Sequence, residues 1–428
     1  MTEKHWLFIS VREWYNQNST KTCGIGVDID MAKEQQNAVI RRKSRTTRTK
    51  TRKRADYYDY NLLAAVILLI CFGLIMLYSA SYYEAFQKIS GNDDMYYFQR
   101  QALICMGGVV GAIVLSKINY HIYTKFASAI YVLSLILMAM VRFSPLGVDA
   151  NGSKRWLNLG IQFQPSEMAK IAVILFLPMV IIKMGKQVKT LKAFCILMVI
   201  GGMQAVGAKV FTDNLSTALI ILGIACALIY LAHPKTAPFV AAAVLAIVLS
   251  VAGVSIIAAN MDATSGFRIR RVLTWLNPEG YLEDGGFQVI QGLYAIGSGG
   301  FFGKGLGNSE QKLSTIPEAQ NDMIFSIICE ELGVFGAILV LLMFGYLLYR
   351  LFFIAQNAPD LYGSLIVSGI FCHIALQVIL NICVVLNLIP TTGITLPFIS
   401  YGGTSVLFLM VEIGIALSVS RQIKFTSE

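Results

Sequence analysis

The sequence predicts an all-α polytopic membrane protein with about ten transmembrane helices and one large loop between spans seven and eight. Of the 428 residues, 56% are hydrophobic and only 14% are charged, and the mean hydropathy is +0.62. The core of a soluble protein does not need this much apolar sequence. A helix that crosses a bilayer needs about 20 mostly apolar residues. Ten stretches meet this requirement: 61–80, 98–116, 124–142, 165–184, 193–210, 215–232, 236–258, 324–349, 361–385 and 403–420.

The positions of the basic residues predict the orientation of these spans. If the N-terminus is cytoplasmic, ten spans return the C-terminus to the same side, and the short inner connections are rich in Lys and Arg, as the positive-inside rule requires. These basic residues are Lys117, Lys125, Lys183, Lys186, Lys189, Lys192, Lys235, Arg350, Arg421 and Lys424. We therefore expect the 65-residue connection 259–323 to be extracytoplasmic.

The net charge of +10 comes from one short segment. Residues 41–54, "RRKSRTTRTKTRKR", contain nine basic residues and no acidic ones, so about +1 remains for the rest of the chain. Directly before span one, such a run favours a contact with anionic lipid head groups, worth about 1 kcal/mol per residue, over a specific protein or nucleic-acid contact. We expect a flexible cytoplasmic tail over 1–57, a membrane domain over 58–422 and a short cytoplasmic tail over 423–428. Met31 suggests the hypothesis that residues 1–30 come from an upstream start.

Metal, redox and nucleotide chemistry are not predicted. The eight cysteines include no C-x-x-C pair, and the four histidines have no ligand spacing. The glycine-rich segment 297–307, "GSGGFFGKGLG", lacks the first glycine and the Ser or Thr of a Walker motif. The sequence therefore requires no cofactor; it leaves a divalent cation open but shows no protein site for one.

Polar groups recur at the predicted outer ends of the spans, where lipid-facing helices would exclude them. They fall in four regions: 151–170, 209–218, 266–322 and 386–405. In the last region Pro390 and Pro397 interrupt apolar sequence, and such a break is tolerated at membrane depth only where protein or a water-filled cavity covers it. Together these features predict a polar cavity that opens outward.

Several residues in these regions allow two interpretations. Glu167 and Lys170 share one helical face and form either a structural ion pair or part of the site. Asn214 or Ser216 is expected to begin span six as a helix cap. Asp322, just before span eight, is either an N-cap or a reactive carboxylate. Glu330 and Glu331 lie deeper in span eight, where we expect them to line the cavity or to pair internally.

Three blocks resemble the SEDS family, the shape, elongation, division and sporulation proteins that include FtsW and RodA. They are "NGSKRWLNLGIQFQPSEMAK" at 151–170, "GLGNSEQKLSTIPEAQNDMIFSIICEELG" at 305–333 and "IPTTGITLPFISYGGTS" at 389–405. The blocks occur in the family's order, and the similarity runs from about residue 58 to the C-terminus. The third block and the basic tail look more like FtsW, or its sporulation-specific relative, than like RodA.

The resemblance implies a peptidoglycan glycosyltransferase of the bacterial cytoplasmic membrane that polymerises lipid II, the undecaprenyl-pyrophosphate-linked disaccharide. Its implied partner is a class B penicillin-binding protein, alongside other division proteins at the septum. The family's essential acid matches Asp322, which would act as general base. Arg155 and Lys170 match positions suited to bind the pyrophosphate, with Glu167 as their orienting partner. In that role Asp322 is expected to be ionised when it acts.

Some features leave alternatives open. Many family members have a "PDxGT"-like sequence where this chain reads "TDNLST", so the family's acidic position falls on either Asp213 or Asn214, and neither is assigned a role. A role in division is favoured over sporulation, and elongation comes third. The alternative from another class is a lipid II flippase, although the sequence shows no internal repeat and its polar groups are on one side. A third alternative is a scaffold that only recruits the penicillin-binding protein.

Overall fold

The computed structural model of the chain describes residues 57–88, 94–150, 153–158, 160, 162–233, 236–260, 267–313, 316–317 and 319–424. The predictions for the basic tail before Tyr57, for a start at Met31 and for residues 425–428 lie outside the described residues. The described chain contains twelve α-helices and one small sheet. The helices are α1 Tyr60–Lys88, α2 Tyr96–Ser116, α3 Ile122–Phe143, α4 Pro165–Met184, α5 Leu191–Phe211, α6 Leu215–Ala232, α7 Ala237–Asn260, α8 Phe267–Leu276, α9 Gly286–Ser298, α10 Ile324–Asn357, α11 Leu361–Val385 and α12 Thr404–Ser420.

Ten of these helices coincide with the ten predicted spans, which confirms the polytopic all-α fold. Within the described residues, nine helices are long and apolar enough to cross a membrane, and α12 is a shorter apolar helix of 17 residues. Most ends agree with the sequence-based bounds within three residues. The exceptions are α1 and α10, which each continue for eight residues beyond the predicted end, to Lys88 and Asn357.

Burial separates the central helices from the peripheral ones. Within an apolar stretch of 18 residues in each helix, at least 61% of the residues of α4, α6 and α11 are buried, whereas none of the residues in the stretch of α7 is buried. A helix that is apolar on all sides and surrounded by protein belongs to the core. The start of α4 and the whole of α11 therefore lie in the middle of the bundle, where they can support a site.

A small sheet joins α3 to α4. Its strands are β1 Gly147–Ala150, β2 Ser153–Asn158 and β3 Gln162–Phe163, and β2 pairs antiparallel with both neighbours. Three strands this short carry too little alternating pattern to be predicted from the sequence. The sheet holds Arg155 and Trp156 in a strand, with Trp156 opposite Val148.

The predicted large loop between α7 and α10 contains the helices α8 and α9. The helix α9 covers the segment "FQVIQGLYAIG" and packs against α10 with Val289, Gly292 and Ala295 buried.

A kink in α10 connects this loop to the bundle. At Gly333 the backbone has φ +66° and ψ −160°, which interrupts the helical hydrogen bonds. The segment 300–305 supplies replacement partners, so the backbone groups freed by the kink remain paired, as they must inside a membrane. The four bonds run from Val334 N to Gly300 O (3.1 Å), from Phe335 N to Phe301 O (3.1 Å), from Lys304 N to Glu330 O (2.9 Å) and from Gly305 N to Glu331 O (2.9 Å).

Candidate active site

One cavity of about 690 Å³ is lined by residues from all four polar regions of the sequence. It lies where the even-numbered spans α2, α4 and α6 begin, next to the sheet and to the start of α10. Its lining includes Arg155, Glu167 and Lys170 from the first region, Asn214 and Ser216 from the second, Arg271 and Asp322 from the third, and Thr395 and Ser405 from the fourth. The polar segments are thus far apart in sequence and adjacent in space.

Both interpretations of Glu167 and Lys170 hold, since the two residues form an ion pair and also line the cavity. The Lys170 ammonium lies 2.9 Å from Glu167 Oε2, so the ion pair is present. Both side chains are almost fully buried in the protein, yet both line the cavity. A buried pair needs further hydrogen bonds to offset its desolvation, and Lys170 Nζ also donates to Gln377 Oε1 at 3.4 Å.

Asp322 lies at the cavity edge and does not occupy the cap position of α10. The N-cap residue is Met323, so the capping interpretation was wrong. The backbone of Asp322 is held by the Asn381 amide, which donates to its carbonyl at 2.8 Å. Its carboxylate faces the fourth region, because a Cβ built on Gly393 would lie 4.0 Å from Asp322 Oδ2. Gly393 has φ +69°, a conformation that glycine adopts without strain.

The non-helical segment between α11 and α12 is held mainly through its carbonyl groups. Side chains from other elements donate to several of these groups, so the break in the helix is covered by protein as predicted. The donors include Trp275 Nε1 to Asn387 O (2.9 Å), Arg271 Nη1 to Thr391 O (3.1 Å), Ser216 Oγ to Thr392 O (2.8 Å), Asn381 Nδ2 to Ile394 O (2.7 Å), Gln377 Nε2 to Thr395 O (3.1 Å) and Gln101 Nε2 to Ser400 O (3.4 Å).

Asp213 and Asn214, the two polar candidates of the second region, have different surroundings. Asn214 is the N-cap of α6 and accepts a hydrogen bond from Thr217 N at 3.0 Å, which confirms the predicted helix start. Asn214 also lines the cavity. Asp213 instead makes an ion pair with Lys209 at 3.5 Å, and its side chain is half exposed.

Glu330 and Glu331 pair internally, which is one of the two expected outcomes. Both are fully buried in α10. Glu330 contacts Lys304 at 2.9 Å and accepts from the Ser309 hydroxyl, while Glu331 contacts Lys312 at 2.7 Å. The hydrogen bond to Glu330 raises the pKa of Lys304. These two carboxylates therefore fasten the loop to the kinked helix.

Several residues of the site were not among the candidates predicted from the sequence. Arg100, Arg271 and Tyr401 line the cavity, and Gln377 and Asn381 hold its walls. A signal for the last two was present, since His373, Gln377 and Asn381 are polar residues spaced by four in an otherwise apolar span. No local pattern distinguishes the other three.

Known proteins similar to this chain agree with this architecture. The chain is 37% identical over 377 residues to stage V sporulation protein E of Bacillus subtilis, covering 86% of this chain and 98% of that protein. It is 33% identical over 379 residues to the probable peptidoglycan glycosyltransferase FtsW of Geobacter sp. strain M18, covering 87% and 99%.

Solved structures extend the comparison to the fold. A chain from a study titled "Structural coordination of polymerization and crosslinking by a peptidoglycan synthase complex" superposes with a TM-score of 0.69 and 28% identity, covering 86% of this chain and 98% of that one. The rod shape determining protein RodA of Thermus thermophilus gives a TM-score of 0.58 at 25% identity, covering 86% and 97%. Residues 60–425 match the family described as cell cycle proteins, and the chain therefore belongs to the FtsW/RodA/SpoVE family.

Proposed function

We propose that this protein is a peptidoglycan glycosyltransferase that polymerises lipid II into β-1,4-linked glycan strands. The observation that carries the proposal is the shared cavity, in which the carboxylate of Asp322 lies with the cations of Arg155 and Lys170. Relatives named as probable peptidoglycan glycosyltransferases support the same activity.

Asp322 acts as the general base of this proposed reaction. The acceptor sugar hydroxyl attacks the anomeric carbon of the donor, the new C–O bond forms, and the hydroxyl proton passes to the Asp322 carboxylate. The bond between the anomeric carbon and the pyrophosphate oxygen breaks at the same time. Because an α-linked donor gives a β-linked product, a single inverting displacement requires one base and no covalent intermediate.

Arg155 and Lys170 bind the departing pyrophosphate. Its negative charge increases as the bond breaks, and charge-assisted hydrogen bonds from a guanidinium and an ammonium stabilise that charge. Arg155 is held in β2, while Lys170 is oriented by Glu167. The proposal assigns the stabilisation of this charge to these two cations and, as in the sequence analysis, requires no cofactor.

The proposed setting is the bacterial cytoplasmic membrane, with both termini in the cytoplasm and the cavity facing outward. In this orientation the sugars are polymerised on the side where the wall is built. A class B penicillin-binding protein is the proposed partner that crosslinks the product, together with other division proteins. The proposed process is septal wall synthesis in division, with sporulation and elongation as the competing assignments.

The test uses the purified full-length protein, a class B penicillin-binding protein and fluorescent lipid II, with glycan chains separated by gel electrophoresis. Wild type should make glycan, and Asp322→Asn should lose about 10²-fold to 10⁴-fold of the rate. Asp213→Asn is the matched control, because this exposed carboxylate pairs with Lys209, and it should retain activity. Normal polymerisation by Asp322→Asn would overturn the assignment of the base. Lipid II movement across vesicles without glycan synthesis would identify a flippase instead.

A further inference from the structure

A row of polar side chains runs along one face of α11 through the centre of the bundle. His373, Gln377 and Asn381 follow each other at intervals of four residues, which places them on one helical face. All three are almost fully buried in the protein. Polar groups inside a membrane domain are costly and are usually functional, so each of these side chains requires a partner.

The orientation of the Gln377 amide follows from its partners. Its Nε2 lies 3.1 Å from the carbonyl oxygen of Thr395, which can only accept, so this end of the amide is the donor. The opposite end, Oε1, is therefore an acceptor. It lies 3.4 Å from Lys170 Nζ and 3.0 Å from His373 Nε2, so both of these nitrogens donate to it.

His373 is in turn fixed by Glu412 of α12. The Nδ1 atom of His373 lies 2.8 Å and 3.0 Å from the two carboxylate oxygens of Glu412. Since Nε2 carries a hydrogen, one further proton is shared between Nδ1 and Glu412. The pair is either an imidazolium with a carboxylate or a neutral imidazole with a carboxylic acid, and its net charge is zero in both states. In both states His373 still donates through Nε2, so Gln377 has a constant partner.

We propose that Gln377 is a positioning residue for glycosyl transfer, which holds the Lys170 ammonium where the pyrophosphate departs. This inference rests on the proposed function. Gln377 is anchored on one side by the neutral His373–Glu412 pair and on the other by the Thr395 carbonyl, and it contributes an acceptor to Lys170.

A second anchor for Lys170 has a physical purpose. Lysine has a flexible four-carbon stem, and Glu167 alone leaves the ammonium free to move around one contact. Two acceptors, one on α4 and one on α11, define its position between two helices. Misplacement of a catalytic contact by about 1 Å can cost about 10²-fold in rate. A stabilising contact made in the transition state affects kcat more than KM.

A double-mutant cycle tests this inference. Gln377→Leu, Lys170→Met and the double variant are compared with wild type for polymerisation of lipid II and for binding of undecaprenyl pyrophosphate. Gln377→Leu alone should lower kcat about 10-fold to 100-fold, with a smaller change in KM. In the Lys170→Met background the same change should have an effect below about 3-fold, because residues that act through one another are not additive.

Gln204→Leu is the matched structural control. Gln204 is also a fully buried glutamine in a span, and its amide donates to Tyr131 O and Ser134 Oγ at 2.8 Å, away from the cavity. This variant should match Gln377→Leu in any effect on unfolding but should retain kcat. If Gln377→Leu does not fold, Gln377→Met, which keeps the side-chain length, takes its place in the double-mutant cycle.

The outcomes separate this inference from the proposed function. If Gln377→Leu lowers the measured rate or binding by the same factor in the wild-type and Lys170→Met backgrounds, the positioning role is overturned, whichever activity the protein has. If wild type makes no glycan, the proposed function fails, and the cycle measured by binding of undecaprenyl pyrophosphate still decides whether Gln377 acts through Lys170.

Discussion

The side-chain amide of Asn381 donates a 2.8 Å hydrogen bond to the backbone carbonyl of Asp322. Its second hydrogen is donated to Ile394 O at 2.7 Å. One residue of α11 thus joins the segment that carries the proposed base to the non-helical segment opposite it. One turn earlier, Gln377 contacts Lys170, so the same helix face contacts both the residue proposed as the base and a cation of the cavity.

Asn381→Leu should therefore reduce polymerisation while the protein remains in the membrane. The variant keeps a similar volume but leaves two carbonyls without their donor, and Asp322 can move relative to the cavity. We expect a loss of about 10-fold to 100-fold in kcat, measured as glycan formed from lipid II. Asn357→Leu is the control, because Asn357 donates to Phe353 O in another part of α10, outside the cavity. Equal activity of the two variants would contradict the anchoring role of Asn381.

The buried pair Lys312–Glu331 should stabilise the attachment of the loop to α10. Its atoms are 2.7 Å apart, and both side chains are almost completely buried. Lys312→Met would leave the Glu331 charge buried without this cation, which typically costs about 3–5 kcal/mol of unfolding free energy. Thermal unfolding of the protein in detergent measures this loss.

Two companion variants make that prediction specific. Replacing both partners, Lys312→Met with Glu331→Met, should recover much of the stability because no charge remains buried. Lys209→Met, at the exposed pair with Asp213, should change stability by at most about 1 kcal/mol. A double variant as unstable as Lys312→Met alone would show that the charge is not the cause.

Gly333→Ala should destabilise the kink of α10 and its contact with the loop. A Cβ at this position would clash with the backbone atoms Gly303 N and Phe301 O, and φ is +66°. The helix must then shift away from segment 300–305, and we expect a loss of several kcal/mol, a cost typical of strain together with lost backbone hydrogen bonds. Gly345→Ala in the same helix has no atom within 4 Å of its added Cβ, and it should be neutral or stabilise by up to about 1 kcal/mol. Equal unfolding temperatures for the two variants would refute the prediction.

Glu412→Gln should preserve activity, whereas Glu412→Leu should not. The glutamine amide can donate to the neutral imidazole Nδ1, so His373 keeps the Nε2 hydrogen that it donates to Gln377. Leucine removes this partner and leaves the buried ring unsatisfied. We expect the Gln variant to retain at least about a third of the wild-type rate and the Leu variant to lose about 10-fold or more, as for other misplaced catalytic contacts. Loss of activity in both variants would mean that a charged Glu412 is required.

Local sequence was sufficient to predict the spans and the polar regions. Hydropathy is a property of consecutive residues, so ten apolar stretches and their order could be identified directly. The Asn214 cap and the proximity of Glu167 and Lys170 also depend on residues three or four positions apart. Asp322 was selected as a candidate because it matches the essential acid in one of the family blocks, whereas its place before an apolar helix equally suits an N-cap.

Contacts between segments that are distant in sequence could be identified only from the tertiary structure. Whether Asp322 caps α10 depends on where the helix begins, and its N-cap residue is Met323. The backbone carbonyl of Asp322 instead accepts a hydrogen bond from Asn381, 59 residues away. Glu330 and Glu331 could have faced the cavity, but the return of the loop to the Gly333 kink gave them Lys304 and Lys312 as partners. The sequence by itself determined which residues are polar within the membrane domain. The packing of α4, α10, α11 and α12 decided which of them meet, because a buried polar group is stable only when another element supplies its partner.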